Sequence, residues 1–347
     1  MSARAYLDWN ASAPLRPEAR AAMADALDLV GNPSSVHAEG RAARAAVERA
    51  RARLAEALGA ADADVVFTSG ATEAAALALA GRGLLASGVE HDAVAAWTEE
   101  ALPTQADGRV AVAEPARSTL QVANGETGVV QALPPGLAVV DATQAFGKIP
   151  FAFDWTGAEM AFVSAHKIGG PKGVGALVLR RGADLPARVR GGGQEMGRRS
   201  GTENVAGIVG FAAAAEAALR DLAAGVWEGV SDLRNVLESL LAEGAPETIS
   251  VGKAVGRLPN TACLASPGWK GETQVMRMDL AGFAVSAGSA CSSGKVRASR
   301  VLTAMGLPPG VAGSAIRVSL GPTTTEREVR GFAEAWLRAQ ERRLRAA

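Results

Sequence analysis

Between Arg41 and Leu58, Ala, Leu and Val recur every three or four positions among Arg and Glu, and Gly59 follows. That spacing predicts an amphipathic helix with a glycine stop. Val65–Thr68 is a short apolar run that predicts a buried strand, followed by Ser69-Gly70-Ala71-Thr72-Glu73 and an Ala/Leu helix. Leu137–Val140, Met160–Val163 and Gly175–Leu179 are further apolar strands, the first ending at Asp141 and the second just before His166-Lys167. Strands alternating with helices imply an α/β fold with a mainly parallel sheet, where polar groups at the carboxyl ends of strands converge on a ligand crevice. Phe211–Leu219 and Trp227–Leu241 predict long helices. After Pro246 the texture changes to short strands and turns, with Ile316–Leu320 a strand and Glu326–Arg345 a terminal helix. We therefore expect a large domain over 16–245 and a smaller α+β domain formed by 1–15 and 246–347.

Composition narrows the function classes. The 347 residues are 48% hydrophobic, enough for a large core, and 36 basic residues balance 36 acidic ones. No bulk field draws nucleic acid or an anionic membrane. No run of about 18 apolar residues suggests a membrane span, and Met1–Trp9 lacks the pattern of a signal peptide. Two cysteines cannot form a disulfide framework, so a reduced, cytoplasmic setting is expected. The three histidines and two cysteines show no paired ligand spacing, so no metal site is expected.

The candidate chemistry lies at the ends of the predicted strands. Ser69–Glu73 is a strand-to-helix turn whose unpaired N–H groups suit an anion, though any well-capped helix looks the same. Asp141 follows an apolar strand directly; it is either a helix cap or a carboxylate awaiting a cation such as a protonated pyridine nitrogen. Lys167, next to His166 at a strand end and followed by Ile168-Gly169-Gly170-Pro171, suits a Schiff base. His91 is either a surface loop residue or an imidazole able to stack on a flat ring and relay protons. Gly191-Gly192-Gly193 leads into the polar turn Arg198–Asn204, either a plain loop or a close backbone approach to a ligand or another chain. Cys291 stands in a loop of very small residues, Ser286–Gly294, a setting that suits a reactive thiol, whereas Cys263 sits in the apolar run Thr261–Ala265.

Taken in order, these segments resemble the cysteine desulfurases of the NifS/IscS class, fold-type I pyridoxal-phosphate enzymes of the class-V aminotransferase family. The likeness runs from Tyr6-Leu7-Asp8 to the final helix. It is carried by Gly31–Ser35, Thr68–Glu73, Glu90-His91, Asn124–Gly128, Asp141–Gln144, Ser164–Lys167, Arg199–Thr202, Gly288–Cys291 and Ile316-Arg317. The resemblance implies pyridoxal 5'-phosphate as cofactor, held covalently by Lys167, which would also move the substrate α-proton. Asp141 would hold the pyridine N–H, with Gln144 and Asn124 addressing the ring oxygen or the substrate carboxylate and His91 stacking on the ring. Ala71, Thr72, Ser164, Ala165 and His166 would bind the phosphate, with Thr202 reaching in from a second subunit of a homodimer. Arg317 and Asn32 would hold the carboxylate of L-cysteine. Cys291 would take the sulfur as a persulfide and pass it to an acceptor protein such as an iron–sulfur scaffold.

The chain departs from the family pattern by shortening between His91 and Asn124 and again between Gly128 and Asp141, where residues 129–140 leave little room for a crossover helix. The usual second Asn after Asn124 is Gly125. Within the same chemistry, a selenocysteine lyase or another β-lyase would use the same lysine, aspartate and arginine. The shortened segments also motivate a weakly active assembly component as an alternative.

Overall fold

The computed structural model describes residues 4–288 and 298–346; Cys291 lies outside the described residues. Two sheets, each with its own apolar core, meet along the N-terminal segment. The larger has five strands in the order Ala63–Thr68, Gly175–Arg180, Met160–Ser164, Val139–Asp141, Thr119–Gln121. Its last three strands pair in parallel, and only Gly175–Arg180 runs against its neighbours. The connection into that strand is a tight turn with positive φ at Gly169 and Gly173, too short for a parallel crossover. The expected mainly parallel α/β sheet is therefore present, with one reversed strand in its interior.

Both faces of this sheet are covered. On one side Val205–Ala223 packs against Pro17–Leu27 and Ala38–Ala57. Close approach is possible because Gly210 has no side chain: a Cβ there would lie 2.4 Å from Met23 Cγ. The helix Ala71–Leu79 lies on the other side, with Leu77, Leu79, Phe162 and Leu177 in one apolar cluster. Between Gln121 and Val139 there is no helix. The chain instead turns at Asn124 and touches the second unit, where Leu258 N–H donates to Gly128 O and Val130 N–H to Gly256 O. The shortened sequence there is thus matched by a bare connection.

The second sheet is antiparallel, in the order Ser286–Ala287, Ala315–Ser319, Thr261–Ala265, Ile249–Val251. In the terminal helix Glu326–Ala346, Val329, Phe332, Ala333, Trp336 and Ala339 recur every three or four residues and are buried in the second core. The helix Val226–Gly244 contributes Trp227, Val230, Leu237 and Leu241 to the same core, although it precedes residue 246. Leu7 belongs to this core as well. Beyond it, residues 8–13 run between the two sheets: Trp9 N–H donates to Ser319 O, and Ala13 N–H to His166 O. That path carries Asn10 into the interior, where it is fully buried. Among the described residues no helix is long and apolar enough to cross a membrane.

Candidate active site

The site forms where strands of the large sheet end side by side. Asp141 is the last residue of its strand, and the neighbouring strand ends at Ser164, followed by a helical turn over Ala165–Lys167. Asp141 is buried, and its Oδ1 accepts the Thr143 N–H at 2.8 Å. Burial pushes its carboxyl up from the ordinary range, while Thr143 and the nearby His91 and Lys167 act in the opposite direction. The carboxylate predicted at this strand end is therefore within electrostatic reach of both the predicted lysine and the predicted histidine.

Lys167 Nζ donates to Asn10 O at 2.7 Å and to Ala11 O at 3.0 Å. Gln144 Nε2 donates to the same Asn10 carbonyl at 3.0 Å. Asn10 Nδ2 in turn donates to Gly125 O at 3.1 Å, which also accepts Arg317 Nη1 at 3.1 Å. One network thus joins Lys167 and Gln144 of the large sheet to Arg317 of the small one. Gly125 lies close against this group, since a Cβ there would be 3.1 Å from Gln144 Nε2. The guanidinium of Arg317 is aimed by Asp8 Oδ1 at 2.9 Å, whose Oδ2 accepts Ser286 Oγ at 2.7 Å. Arg317 Nε is buried with no partner among the described residues, a donor suited to an incoming carboxylate.

His91 caps a short helix, its Nδ1 accepting the Ala93 N–H at 3.1 Å. The loop that carries it is held from behind. Val89 O accepts Gln121 Nε2 at 2.8 Å and Asn124 Nδ2 at 3.0 Å, and Arg300 donates to Glu90 O. Asn124 Oδ1 meanwhile accepts the N–H groups of Glu126 and Thr127. Both ends of the Asn124 amide are thus used within the chain to shape its own turn and the His91 loop. Glu90 is buried, with Oε1 on the Gln121 N–H at 3.0 Å and Oε2 without a partner. Burial and the neighbouring Asp141 raise its carboxyl to about 8 against the Gln121 bond and Arg300.

Ala71 and Thr72 open the helix after Gly70, and no side chain caps its start. The position a Gly70 Cβ would take lies 3.9 Å from Ser164 Oγ, so Ser164 sits beside this helix start. Gly175 permits the approach, because a Cβ there would meet Gly70 C at 2.6 Å. His166 Nδ1 lies 3.3 Å from Ser12 Oγ, and burial together with Lys167, Lys172 and Lys148 lowers its ring to about 4. Thr202 is exposed on a groove lined also by Thr68, Ser69 and Arg199. The turn that bears it is tied down by Arg199, which donates to Glu73 Oε1 at 2.7 Å and Oε2 at 3.3 Å. Asn32 is exposed, its Oδ1 accepting the Ser34 N–H at 2.9 Å, and among the described residues no hydrogen bond links it to Arg317. Cys263 is fully buried opposite Arg317 on the neighbouring strand, and burial raises its thiol well above the ordinary value. It is a core residue, as its apolar run predicts.

Sequence reasoning did not single out Asn10 or Lys148. Asn10 gave no periodic signal, and Lys148 sits in the unremarkable run Gly147-Lys148-Ile149-Pro150. Their significance lies in contacts across more than a hundred positions of sequence.

An amine and a buried carboxylate at the ends of neighbouring strands, with an imidazole within electrostatic reach and an arginine entering from a second sheet, form the candidate active site of an α/β enzyme. The chain belongs to the aminotransferase class-V family, whose description matches residues 5–117 and 120–332. It is 41% identical to a cysteine desulfurase of Cereibacter sphaeroides, over 94% of this chain and 93% of that protein. The structure of a NifS-like protein from Rickettsia africae is similar with a TM-score of 0.89 at 30% identity, covering 97% of this chain and 99% of the other. A solved structure described as SspA in complex with cysteine matches with a TM-score of 0.75 at 27% identity, covering 92% and 100%.

Proposed function

We propose that the chain is a cysteine desulfurase that moves sulfur from L-cysteine to Cys291, leaving L-alanine. The observation that carries this reading is the convergence of Lys167 and Asp141 at neighbouring strand ends with His91 within electrostatic reach, Lys167 being joined through Asn10 and Gly125 to Arg317. The cysteine desulfurase of Cereibacter and the cysteine complex of SspA support the same substrate.

The residues present fit pyridoxal 5'-phosphate, which when bound supplies an electron sink for bonds breaking at the substrate. Lys167 would hold it through its amine and carry the substrate α-proton. The buried Asp141 carboxylate would face the ring N–H, a cation that offsets the cost of its burial. His91 would lie on the ring and take part in proton transfer, and Asn124 supports its loop from behind. Gln144 would address the ring oxygen. Ala71, Thr72, Ser164, Ala165 and His166 form the phosphate end, where the depressed His166 ring is neutral near pH 7 and binds by hydrogen bonding rather than by charge. Thr202 completes this end from the second protomer of a homodimer. Arg317 holds the substrate carboxylate, its unpartnered Nε contributing a donor, and Asn32 is proposed to assist.

At Cys291 the thiolate forms a bond to the substrate sulfur while the Cβ–S bond breaks. The electron pair of that bond stays with carbon, which takes up a proton, so cysteine and thiol become alanine and a persulfide. An acceptor protein, such as an iron–sulfur scaffold in the cytoplasm, then receives the sulfur. The test is Cys291→Ser. It retains the cofactor and its colour and loses alanine production almost completely, because a hydroxyl is a far poorer nucleophile toward sulfur. Cys263→Ser keeps turnover. Mass spectrometry after a cysteine pulse without reductant finds one extra sulfur on the Cys291 peptide. Sulfur on Cys263, or normal turnover by Cys291→Ser, overturns the mechanism.

A further inference from the structure

Glu126 lies buried in the turn after the Thr119–Gln121 strand, and its Oε1 has no partner among the described residues. The turn itself is fixed on several sides. Asn124 Oδ1 accepts the Glu126 N–H at 2.9 Å, Gly125 O accepts Arg317 Nη1 at 3.1 Å, and Gly128 O accepts the Leu258 N–H at 2.8 Å. The carboxyl meets residues far along the chain. A Cβ added at Gly288 would lie 2.2 Å from Glu126 Oε1, 3.0 Å from Glu126 Cδ and 3.2 Å from Ser299 Cβ. The Ser299 hydroxyl also hydrogen-bonds with the carboxyl. Glu126, Gly288 and Ser299 are therefore packed on one another, with no room for a side chain at position 288.

Gly288 and Ser299 bracket Cys291 in the sequence, and each is tied to the second unit. Gly288 N–H donates to Ala315 O at 3.3 Å, at the start of the strand that carries Arg317. Ser299 is buried, its N–H donating to Ala312 O at 3.4 Å and its Oγ accepting the Leu302 N–H at 3.1 Å. The next residue, Arg300, donates to Glu90 O in the His91 loop. The bracket is thus attached to both the Arg317 strand and the His91 loop. Between its ends, Ser289 to Gly294 are all small residues, which offer little apolar surface to bury. A reacting thiol needs placement within about 3.5 Å of its target, and a misplacement of about 1 Å can cost on the order of a hundredfold in rate. With so little side chain of its own, the stretch depends on how its two ends are held.

We propose that Glu126 is a positioning residue for sulfur transfer: wedged between Gly288 and Ser299, its carboxyl fixes the two ends of the stretch that carries Cys291 relative to Arg317 and His91. Gly288 serves this role by leaving the carboxyl its space. Burial raises the carboxyl to about 7, while Ser299 and Arg317 act against that rise, so near neutrality it can donate a hydrogen bond as well as accept one. Glutamine keeps both its shape and that double capacity. This inference rests on the assignment of Cys291 as the sulfur acceptor.

The test is a double-mutant cycle on the full-length protein. In the loaded enzyme two steps are read: the change in cofactor absorption when L-cysteine is added, and the rate at which one sulfur appears on the Cys291 peptide by mass spectrometry. Glu126→Ala slows the second about tenfold and leaves the first at its wild-type cysteine dependence. Gly288→Ala pushes the carboxyl aside without removing it and has the same effect; it carries the test by itself should Glu126→Ala not fold. In the double variant the effects do not add, because the new Cβ enters space the carboxyl has left. Glu126→Gln recovers most of the rate. A third reading needs no cofactor: amide hydrogen exchange at Gly288 and Ser299 quickens in both alanine variants and not in Glu126→Gln. An unchanged sulfur rate or unchanged exchange in either alanine variant overturns the proposal, as do additive effects in the double variant. Equal loss in Glu126→Gln, or loss of the absorption change in step with sulfur transfer, overturns it too. Sulfur on a residue other than Cys291 is read in the wild type alone, and it removes the acceptor assignment and this inference with it.

Discussion

Glu90 shows how one side chain carries a pH dependence that its neighbours dictate. Its carboxyl is lifted to about 8 by burial and by Asp141, and only one of its oxygens has a partner. An unfolded glutamate titrates at about 4.3, so between there and pH 8 the folded chain holds a proton that the unfolded chain has lost. Glu90 therefore contributes a decline in stability as pH rises through that window, at most about 1.4 kcal/mol per pH unit. Glu90→Gln removes this slope and keeps the acceptor for the Gln121 N–H. Denaturation midpoints of the two proteins should diverge from pH 5 to 8 in favour of the variant. Parallel curves would show that Glu90 ionises at its ordinary value. His166 works in the opposite sense: its ring is depressed to about 4, so the stability tied to its neutral form is present above the ordinary value of about 6.5 and falls away as pH drops toward 4. At this scale much was legible in the sequence, since Lys167, Asp141 and His91 announced themselves by their places at strand ends and in loops. Glu90 did not, because a glutamate before a histidine carries no sign of whether it will be buried.

Among the elements, the segment 191–204 carries a buried pair in addition to the Arg199–Glu73 bridge. Glu195 accepts Arg51 Nη1 at 2.6 Å, Arg51 Nη2 at 3.1 Å and the Phe67 N–H at 2.9 Å. Arg51 also lies over the Phe67 ring, 4.8 Å from its centre. These contacts hold Glu195 and Met196 at positive φ, 49° and 58°, a conformation costing each non-glycine residue on the order of 1 kcal/mol. Arg51→Met leaves the Glu195 charge buried and unpaired, with an expected loss of about 3 kcal/mol in chemical denaturation. Adding Glu195→Gln should restore part of it; an unchanged single variant would show that the pair contributes nothing. Sequence reasoning saw this stretch as a glycine run leading to a basic turn. It missed the clamp because Arg51 lies on a helix whose pattern reads as a solvated face, and only packing turns that one arginine inward.

For the whole molecule, the exposed Thr202 and the phosphate end of the site set the question of assembly. If Thr202 completes the site of a second protomer, the protein is a homodimer with closed two-fold symmetry. Light scattering should give about twice the mass of one chain. A fully active monomer would rule the shared site out.

The strands Ala63–Thr68, Val139–Asp141, Met160–Ser164 and Gly175–Arg180 and the helix Ala38–Ala57 followed from local apolar periodicity, which short-range sterics and burial impose wherever the chain folds. The strand-end residues Asp141 and Lys167 followed with them, whereas Pro17–Leu27 and the edge strand Thr119–Gln121 did not. The helix Val226–Gly244 is the exception in its allegiance. Its pattern marks it as amphipathic, but only packing assigns its apolar face to the second core. The Asn10 hub was likewise beyond reach of the pattern. Its partners Lys167, Lys148 and Asn260 lie far along the chain and meet only because residues 8–13 pass between two sheets. Periodicity specifies which face of an element is buried. Which polar groups share one buried oxygen is decided by how the sheets come together.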